Sequence, residues 1–593
     1  MNRYRSHHCG ELRASDVGTE VHISGWVHVS RDHGGLLFID LRDHHGITQC
    51  VLTPGQGDFA NFQKPSSESV LTVHGEVVHR SPETVNGKLP TGEVEIQARS
   101  IEVQAVAGPL PLPVAGEPDY PEETRLRYRY LDLRREKLHA NVVLRSKVVA
   151  RMRELMTEQG FLEIHTPILT RTSPEGARDY VVPSRLYPGR FYALPQAPQV
   201  FKQLLMAGGF DRYFQIAPCF RDEESRADRS PGEFYQLDIE MAFVEQQDVF
   251  DAVGPVIERI FGDFSEKPVS PYPFRQIPYA ESMLRYGNDK PDLRNPIEIS
   301  DASAIFAGAD FTVFKKAIAD GAVVRAVPAP GAASKSRRFF DTLVKEAQDE
   351  GSQGLAYLSF AEEQPKGPVA KHLSAEAIAD LRKLAGIGVG DALFFVCAEE
   401  TEACRLAAWL RTRLGEGLEL IDAHRFEFCW IVDYPMFDRA DDGSIEFSHN
   451  PFSMPQGGLD SLDNQPPFEI LAHQYDLVCN GVELSSGAIR NHRPEIMARA
   501  FALAGYDGER FESEFGGMLE AFRLGTPPHG GIAPGVDRIV MLIADEPNIR
   551  EVIAFPLSQR AEDLMLGAPA ELDEGRLREL HLQIKKPRTR KPD

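Results

Sequence analysis

The chain is poor in cysteine and tryptophan, with seven and three among 593 residues. The thiols at Cys9, Cys50, Cys219, Cys397, Cys404, Cys429 and Cys479 are scattered, and no pair has metal-ligand spacing, so they read as buried or incidental thiols in a reducing cytoplasm. Nothing approaches the run of about 18 apolar residues that a membrane span needs. The start MNRYRSHHCGELRAS has no apolar stretch and is not expected to be a secretory signal. Positive charge is also short: 65 Lys and Arg stand against 88 Asp and Glu, a net charge of −23. That argues against diffuse nucleic-acid binding over the whole surface and leaves room for a local basic groove. The one basic run, Lys585 to Lys591, reads as a disordered end. There is no GxxxxGK[ST], hence no P-loop.

What is present suits several domains. Residues 1–106 read as five short strands, Val21–Val29, Leu36–Leu41, Ile47–Leu52, Val70–Val78 and Val94–Ala98, the pattern of a small OB-type barrel. Barrels of this kind bind oligonucleotides with stacking aromatics and hydrogen-bonding side chains. Phe38 is a candidate stacking platform and Gln49 a candidate base reader; each is equally readable as an ordinary barrel residue. A proline-rich stretch from Gly108 to Pro121 marks a semi-rigid linker, assigned to 107–135. Glu122 to Gln159 reads as a long helical region, and Phe161–Thr166 as a strand stopped by Pro167.

The densest chemistry lies in Phe220–Glu240, FRDEESRADRSPGEFYQLDIE. Two strand patterns flank a charged loop from Ser225 to Gly232, which predicts a hairpin. Arg221 at the end of one strand, Glu223 two residues on and carboxylates on the returning strand suggest a polyanion held beside a heterocycle. A solvated loop crossed by ion pairs is the plainer alternative. Gln199 and Lys202 fall near one face of a helix start. Asp476 and Glu483 are expected on or beside one strand, with Arg490 after a Ser-Ser-Gly turn. Gly530 to Arg538 reads as a glycine-rich strand-to-helix turn able to cradle phosphate. Residues 287–424 change character and are expected to form an inserted α/β module; the remaining divisions are 136–286, 425–570 and 571–593.

Taken together these segments resemble a bacterial-type aspartyl-tRNA synthetase of class II. Gly160–Pro167 resembles motif 1, Phe220–Glu223 with Phe234–Glu240 motif 2, and Gly535–Arg538 motif 3. RYRYLDLRR (127–135), SPEGARDY (173–180) and ALPQAPQVFKQLL (193–205) stand in family order around them. The resemblance implies an α+β multidomain chain: an anticodon-binding barrel, a catalytic domain on an antiparallel sheet and an inserted module. It implies that aspartate and ATP give aspartyl-adenylate, from which the acyl group passes to tRNA. Arg221 is then expected at the α-phosphate and Arg538 at the γ-phosphate. Asp222, Glu223, Ser230, Glu483, Gly535, Val536 and Asp537 would complete the ATP site, and Asp476 with Glu483 would hold Mg²⁺. Glu175, Gln199, Lys202, Arg221, His449 and Arg490 would surround aspartate.

Position 450 is Asn where the family often has His, so no role is carried over to it. Ser230 is aligned less firmly because motif 2 carries an extra residue near Gly232. His33 is associated by resemblance with enzymes that charge both tRNA-Asp and tRNA-Asn, and the second associated position falls near Glu83. That reading implies an amidotransferase partner acting on Asp-tRNA-Asn; motif 1 implies a homodimer. A strictly tRNA-Asp-specific enzyme and a non-catalytic RNA-binding paralogue are the competing readings.

Overall fold

The computed structural model describes residues 2–54, 59, 62–116, 118–172, 177–223, 232–440 and 442–585. The chain divides into two compact units, one of residues 1–142 with 553–570 and one of 143–552 with the remainder.

In the first unit β1 (Glu20–His33), β2 (Leu36–Asp43), β3 (Gly46–Leu52), β4 (Val70–His79) and β5 (Val94–Ala105) close a barrel in the order β1-β2-β3-β5-β4. Every pairing is antiparallel except β3 with β5. Alternate residues such as Leu37, Ile39, Leu41, Val73 and Ile96 point inward and form the core. Gly34 and Gly35, with φ of 63° and 83°, make the two-residue turn between β1 and β2, a conformation glycine adopts freely.

The expected long helix from 122 to 159 is three helices, Glu122–Arg127, Arg129–Asp132 and Glu136–Glu158. The chain breaks at Tyr128 (φ −113°, ψ 38°). Buried Asp132 gathers Arg129 at 2.9 Å and Arg135 at 3.3 Å, each three residues away, and Arg125, seven residues back, at 3.1 Å. Arg129 also donates to the carbonyls of Ile553 and Ala554. This contact ties 553–570 to the first unit, whereas the sequence reading ran the second catalytic part through residue 570. The stretch read as linker thus carries helices from Glu122 onward. Arg134 and Arg42 both pair with buried Glu68, at 3.1 and 2.8 Å.

The second unit is built on eight strands: β6 (Leu162–Glu163), β9 (Arg212–Arg221), β10 (Gly232–Ala242), β11 (Arg275–Pro278), β16 (Phe428–Pro435), β19 (Leu471–Cys479), β20 (Val482–Ile489) and β21 (His529–Ile532). Between them in sequence lie a small hairpin, β7 (Val181–Pro183) with β8 (Phe191–Ala193), and another, β17 (Phe437–Arg439) with β18 (Ile445–Phe447). The sheet order is β11-β16-β19-β20-β21-β10-β9-β6. Its six central strands are antiparallel, as expected; the edge strands β11 and β6 run parallel to their neighbours. The expected strand 161–166 pairs only at Leu162–Glu163, because Thr166 turns its amide to the side chain of Gln215. Residues 287–424 carry β12 (Ser300–Asp301), β13 (Val323–Ala329), β14 (Ala356–Ser359) and β15 (Ala392–Ala398), all antiparallel, with apolar clusters on both faces of that sheet. No helix is long and apolar enough to cross a membrane among the described residues.

Candidate active site

β9 and β10 form the expected hairpin, with Arg221 opposite Gly232 at its open end. The expected loop from Ser225 to Gly232 lies outside the described residues except for Gly232, as do Ser230 and Glu175. Beside the hairpin is a cleft of about 680 Å³ whose walls include Gln199, Lys202, Arg221, Asp238, His449 and Arg490. Glu223, Asn450, Glu483, Gly535, Asp537 and Arg538 also line it. One cleft therefore collects residues from the expected aspartate and ATP sets.

The floor is a buried charge network. Side-chain alternation along β10 puts Asp238 and Glu240 on one face. Lys202, on the helix Gln199–Ala207, reaches Asp238 at 2.8 Å and Glu240 at 3.2 Å. Arg490 at the end of β20 donates Nε and Nη2 to Glu240 at 2.9 and 3.2 Å. Burial by itself would raise the Glu240 pKa; Arg490 and Lys202 outweigh it and hold this carboxylate below its ordinary range. For Asp238 burial wins over Lys202, and its pKa is raised. Among the described residues Asp238 Oδ2 accepts no hydrogen bond; the neighbouring Tyr213 hydroxyl donates to Gln215 at 3.0 Å. Arg490 Nη1 likewise has no partner among them, so a buried cation and a buried acceptor both remain for a ligand. The carboxylates expected on the returning strand thus clamp the two cations, a pairing that depends on register across β10 and that no local pattern specifies.

Asp476 and Glu483 sit on neighbouring strands, not one. Asn480 (φ 52°) and Gly481 (φ 83°) turn β19 into β20, a hairpin signal the sequence held in plain form. The Ser-Ser-Gly segment before Arg490 is not a turn: it lies within β20, and a Cβ on Gly487 would stand 2.4 Å from the Gly531 carbonyl. Asp476 is fully buried; Oδ2 accepts from Tyr434 at 2.8 Å, and among the described residues Oδ1 accepts no hydrogen bond. Burial first, and Glu483 second, push its pKa up to about 8. Lys290 pairs with Glu483 at 3.4 Å.

The glycine-rich turn forms as expected between β21 and the helix Val536–Ile543. Gly530 and Gly531 are closely packed between neighbouring strands. A Cβ on Gly531 would meet the Ile239 carbonyl at 2.1 Å, and the Gly535 amide already donates to Leu484 O at 2.8 Å. Val536 is buried. Asp537 gives one oxygen to Arg145 and the other to the Tyr235 amide, so it fastens the helix to the hairpin. Arg538 donates to Glu483 O. Arg221 lies over the Phe234 ring at 5.0 Å, and its buried Nε has no hydrogen-bond partner among the described residues. Asp222 is exposed, its amide bonded to Arg178 O.

His449 opens into the concave cleft, held by Ser448 at 2.8 Å and set edge-on to Tyr434. The enclosing walls lower its pKa. Asn450, which had no assigned role, accepts the Phe452 amide at 2.9 Å and so shapes the turn that carries His449.

On the barrel, Phe38 is half-buried on the outward face and opposes Arg31. Gln49 is buried and donates to Glu95 at 2.7 Å, so base reading by its amide would require that bond to open. His33 ends β1, and Glu83 lies in an exposed turn.

A family model described as tRNA synthetases class II (D, K and N) matches residues 121–559, and one for the OB-fold nucleic acid binding domain matches residues 21–104. The chain belongs to the class II tRNA synthetases. This synthetase is 60% identical over 589 residues to an aspartate–tRNA(Asp/Asn) ligase of Acidiphilium cryptum, covering 99% of each chain. It is 58% identical to the Zymomonas mobilis protein of the same name, covering 98% of each. Among solved structures it resembles the aspartyl-tRNA synthetase of Entamoeba histolytica (21% identity, TM-score 0.55, 92% of this chain and 90% of that). It also resembles the asparaginyl-tRNA synthetase of Pyrococcus horikoshii with asparaginyl-adenylate (19%, TM-score 0.57, 93% and 97%), a likeness of fold. The barrel is thus an OB-fold, and the eight-stranded sheet the class II catalytic platform.

Proposed function

We propose that this synthetase activates L-aspartate with ATP and transfers it to the 3′ end of both tRNA-Asp and tRNA-Asn. The observation that carries the substrate is the cleft floor, where Lys202 and Arg490 are fixed by Asp238 and Glu240. A ligand with two carboxylates and one ammonium meets each exposed group with its opposite. The amide of asparagine brings no charge to the two cations and can turn its NH₂ toward donors they have left over, which penalises it.

The aspartate α-carboxylate is already ionised at neutral pH and attacks the ATP α-phosphorus in line; pyrophosphate leaves, and no protein base is required. A tRNA 3′-terminal hydroxyl then attacks the acyl carbon and AMP leaves. Catalysis is positioning and charge stabilisation. In this reading Arg221 meets the α-phosphate and α-carboxylate, Arg538 the terminal phosphate, and Glu223 the adenine amino group, the planar guanidinium fork suiting each oxyanion. Val536 can offer only backbone, and Asp537 positions the helix. Glu175 and Ser230 keep their proposed places at the ammonium and the base.

Among the described residues no cluster of three or more acids, histidines or cysteines could hold a metal alone. The donor-free Asp476 Oδ1 beside Glu483 still fits Mg²⁺, a hard cation that takes one or two carboxylates and completes its shell with phosphate oxygens and water. Bound there, the ion would neutralise phosphate charge.

We assign 1–106 to the anticodon, 107–135 to a hinge, and 287–424 to an insertion within the catalytic domain (136–286 and 425–552), with 553–570 returning to the first unit and 571–593 a C-terminal extension. Phe38 and His33 would meet the anticodon. The exposed Leu162, Ile168 and Leu169 beside edge strand β6 suit a homodimer contact. The names of the relatives above support charging of both tRNAs. In this reading the enzyme works in the cytoplasm, and an amidotransferase converts the Asp-tRNA-Asn it makes. The test is aminoacylation of tRNA-Asp and tRNA-Asn transcripts with labelled aspartate. Charging of both is expected; charging of tRNA-Asp alone would restrict the specificity, and charging of neither would remove the reading.

A further inference from the structure

Behind the cleft wall runs a chain of hydrogen bonds with a defined direction. The Pro527 carbonyl lies 2.9 Å from His529 Nδ1. A carbonyl can only accept, so Nδ1 carries the proton and Nε2 of the neutral ring is an acceptor. The ring is neutral because burial pushes its pKa down to about 4. Gln203 Nε2 stands 3.1 Å from His529 Nε2 and must donate to it. That leaves Gln203 Oε1 to accept from Gln199 Nε2, also at 3.1 Å. Gln203 and His529 are wholly buried and neither lines the cleft; Gln199 does line it.

From this we infer that Gln203 and His529 are positioning residues, which lock the Gln199 amide with its oxygen toward the substrate's ammonium. The inference rests on the aspartate reading above. An amide side chain presents nearly the same shape after a half-turn, so its environment decides whether it offers oxygen or NH₂. Among the described residues Gln199 Oε1 has no partner. It faces a ligand whose only hydrogen-bond donor group is the α-ammonium. Were the amide reversed, its NH₂ would oppose that ammonium, and the Gln203 oxygen would lose its donor. The polarity of the relay, set at a backbone carbonyl three side chains away, therefore selects for an amino acid over a simple dicarboxylate.

The experiment compares wild-type enzyme and Gln203→Met, which keeps length and volume and removes both polar ends. Three constants are measured by ATP–pyrophosphate exchange: KM for aspartate, KM for ATP, and the inhibition constant of succinate, which is aspartate without its amino group. Gln203→Met is expected to raise the aspartate KM by about tenfold or more, the scale of one charge-assisted hydrogen bond. Succinate inhibition and the ATP KM should stay within about twofold. Aspartate and succinate weakening together would reveal a merely structural role and overturn the inference, as would no change in either. Should Gln203→Met not fold, His529→Gln and His529→Met form a second pair. The Gln oxygen can replace the Nε2 acceptor, so His529→Gln should hold the aspartate KM within about threefold while His529→Met raises it. Equal effects of these two would also overturn the relay. Wild-type enzyme that fails to activate aspartate at all would instead remove the substrate reading on which the inference stands.

Discussion

Arg490 grips Glu240 with two hydrogen bonds, at 2.9 and 3.2 Å, across the single intervening strand β21. The same carboxylate holds Lys202 at 3.2 Å, so one buried acid sets the position of both cations that await the substrate. Glu240→Gln would leave two buried cations short of charge and turn an NH₂ toward one of them. Breaking a buried pair in this way costs about 3–5 kcal/mol. The midpoint of urea unfolding should fall with an unchanged slope, and the aspartate KM should rise. An unchanged midpoint would mean that solvent reaches the network.

Arg221 tests a different link. Among the described residues its Nε has no hydrogen-bond partner, and its guanidinium lies over Phe234, so it adds little to the hairpin's bonding there. Arg221→Ala should lower aspartate-dependent ATP–pyrophosphate exchange by roughly 100- to 1,000-fold, the loss from removing one preorganised oxyanion donor. Binding of tRNA, followed by filter retention, should persist. Joint loss of tRNA binding and exchange would place this residue elsewhere in the mechanism.

His529 gives the fold a pH dependence whose sign is fixed by its burial. Its pKa is about 4 in the folded chain, against about 6.5 when unfolded. Between those values the unfolded chain binds the additional proton, so stability rises with pH across this window and is lost as pH falls toward 4. The full difference amounts to about 3 kcal/mol at one pKa unit per 1.36 kcal/mol. His529→Gln cannot titrate, and its unfolding free energy should be flatter between pH 4 and 6.5 than that of wild type.

Much of the fold was legible because the relevant signals are local. The barrel strands alternate with period two, Gly34–Gly35 marks a turn, and Arg221 and Arg538 stand beside recognisable strand and helix boundaries. The errors fall where a distant partner decides. Tyr128 breaks a helix-like stretch between Arg125 and the Asp132 it pairs with, and Gly487 reads as a turn residue until Gly531 is seen against it. The pairing of Lys202 with Asp238 and of Arg490 with Glu240 depends on register across β10, which no local pattern specifies. Asn480-Gly481 is the exception: it is a short-range hairpin signal, and it alone would have placed Asp476 and Glu483 on separate strands.

Asp476 is where stability and function pull apart. Its carboxyl is fully buried, with one oxygen held by Tyr434, the other receiving no hydrogen bond among the described residues, and Glu483 as a like-charged neighbour. Its pKa of about 8 lies above the unfolded value of about 3.8. The folded chain therefore binds the extra proton between these pH values, and the side chain costs stability increasingly as pH rises through them. Asp476→Asn removes the charge, keeps the shape and preserves an oxygen for Tyr434. The free protein should become more stable by about 1–3 kcal/mol near pH 8, with the gain vanishing near pH 4, as read from paired thermal or urea unfolding curves. The same substitution should impair Mg²⁺-dependent adenylate formation, because an amide oxygen is a poorer ligand for a hard cation than a carboxylate. A gain in stability with full activity would remove Asp476 from the metal site, and a loss of stability at pH 8 would show that its ionised form is paired after all.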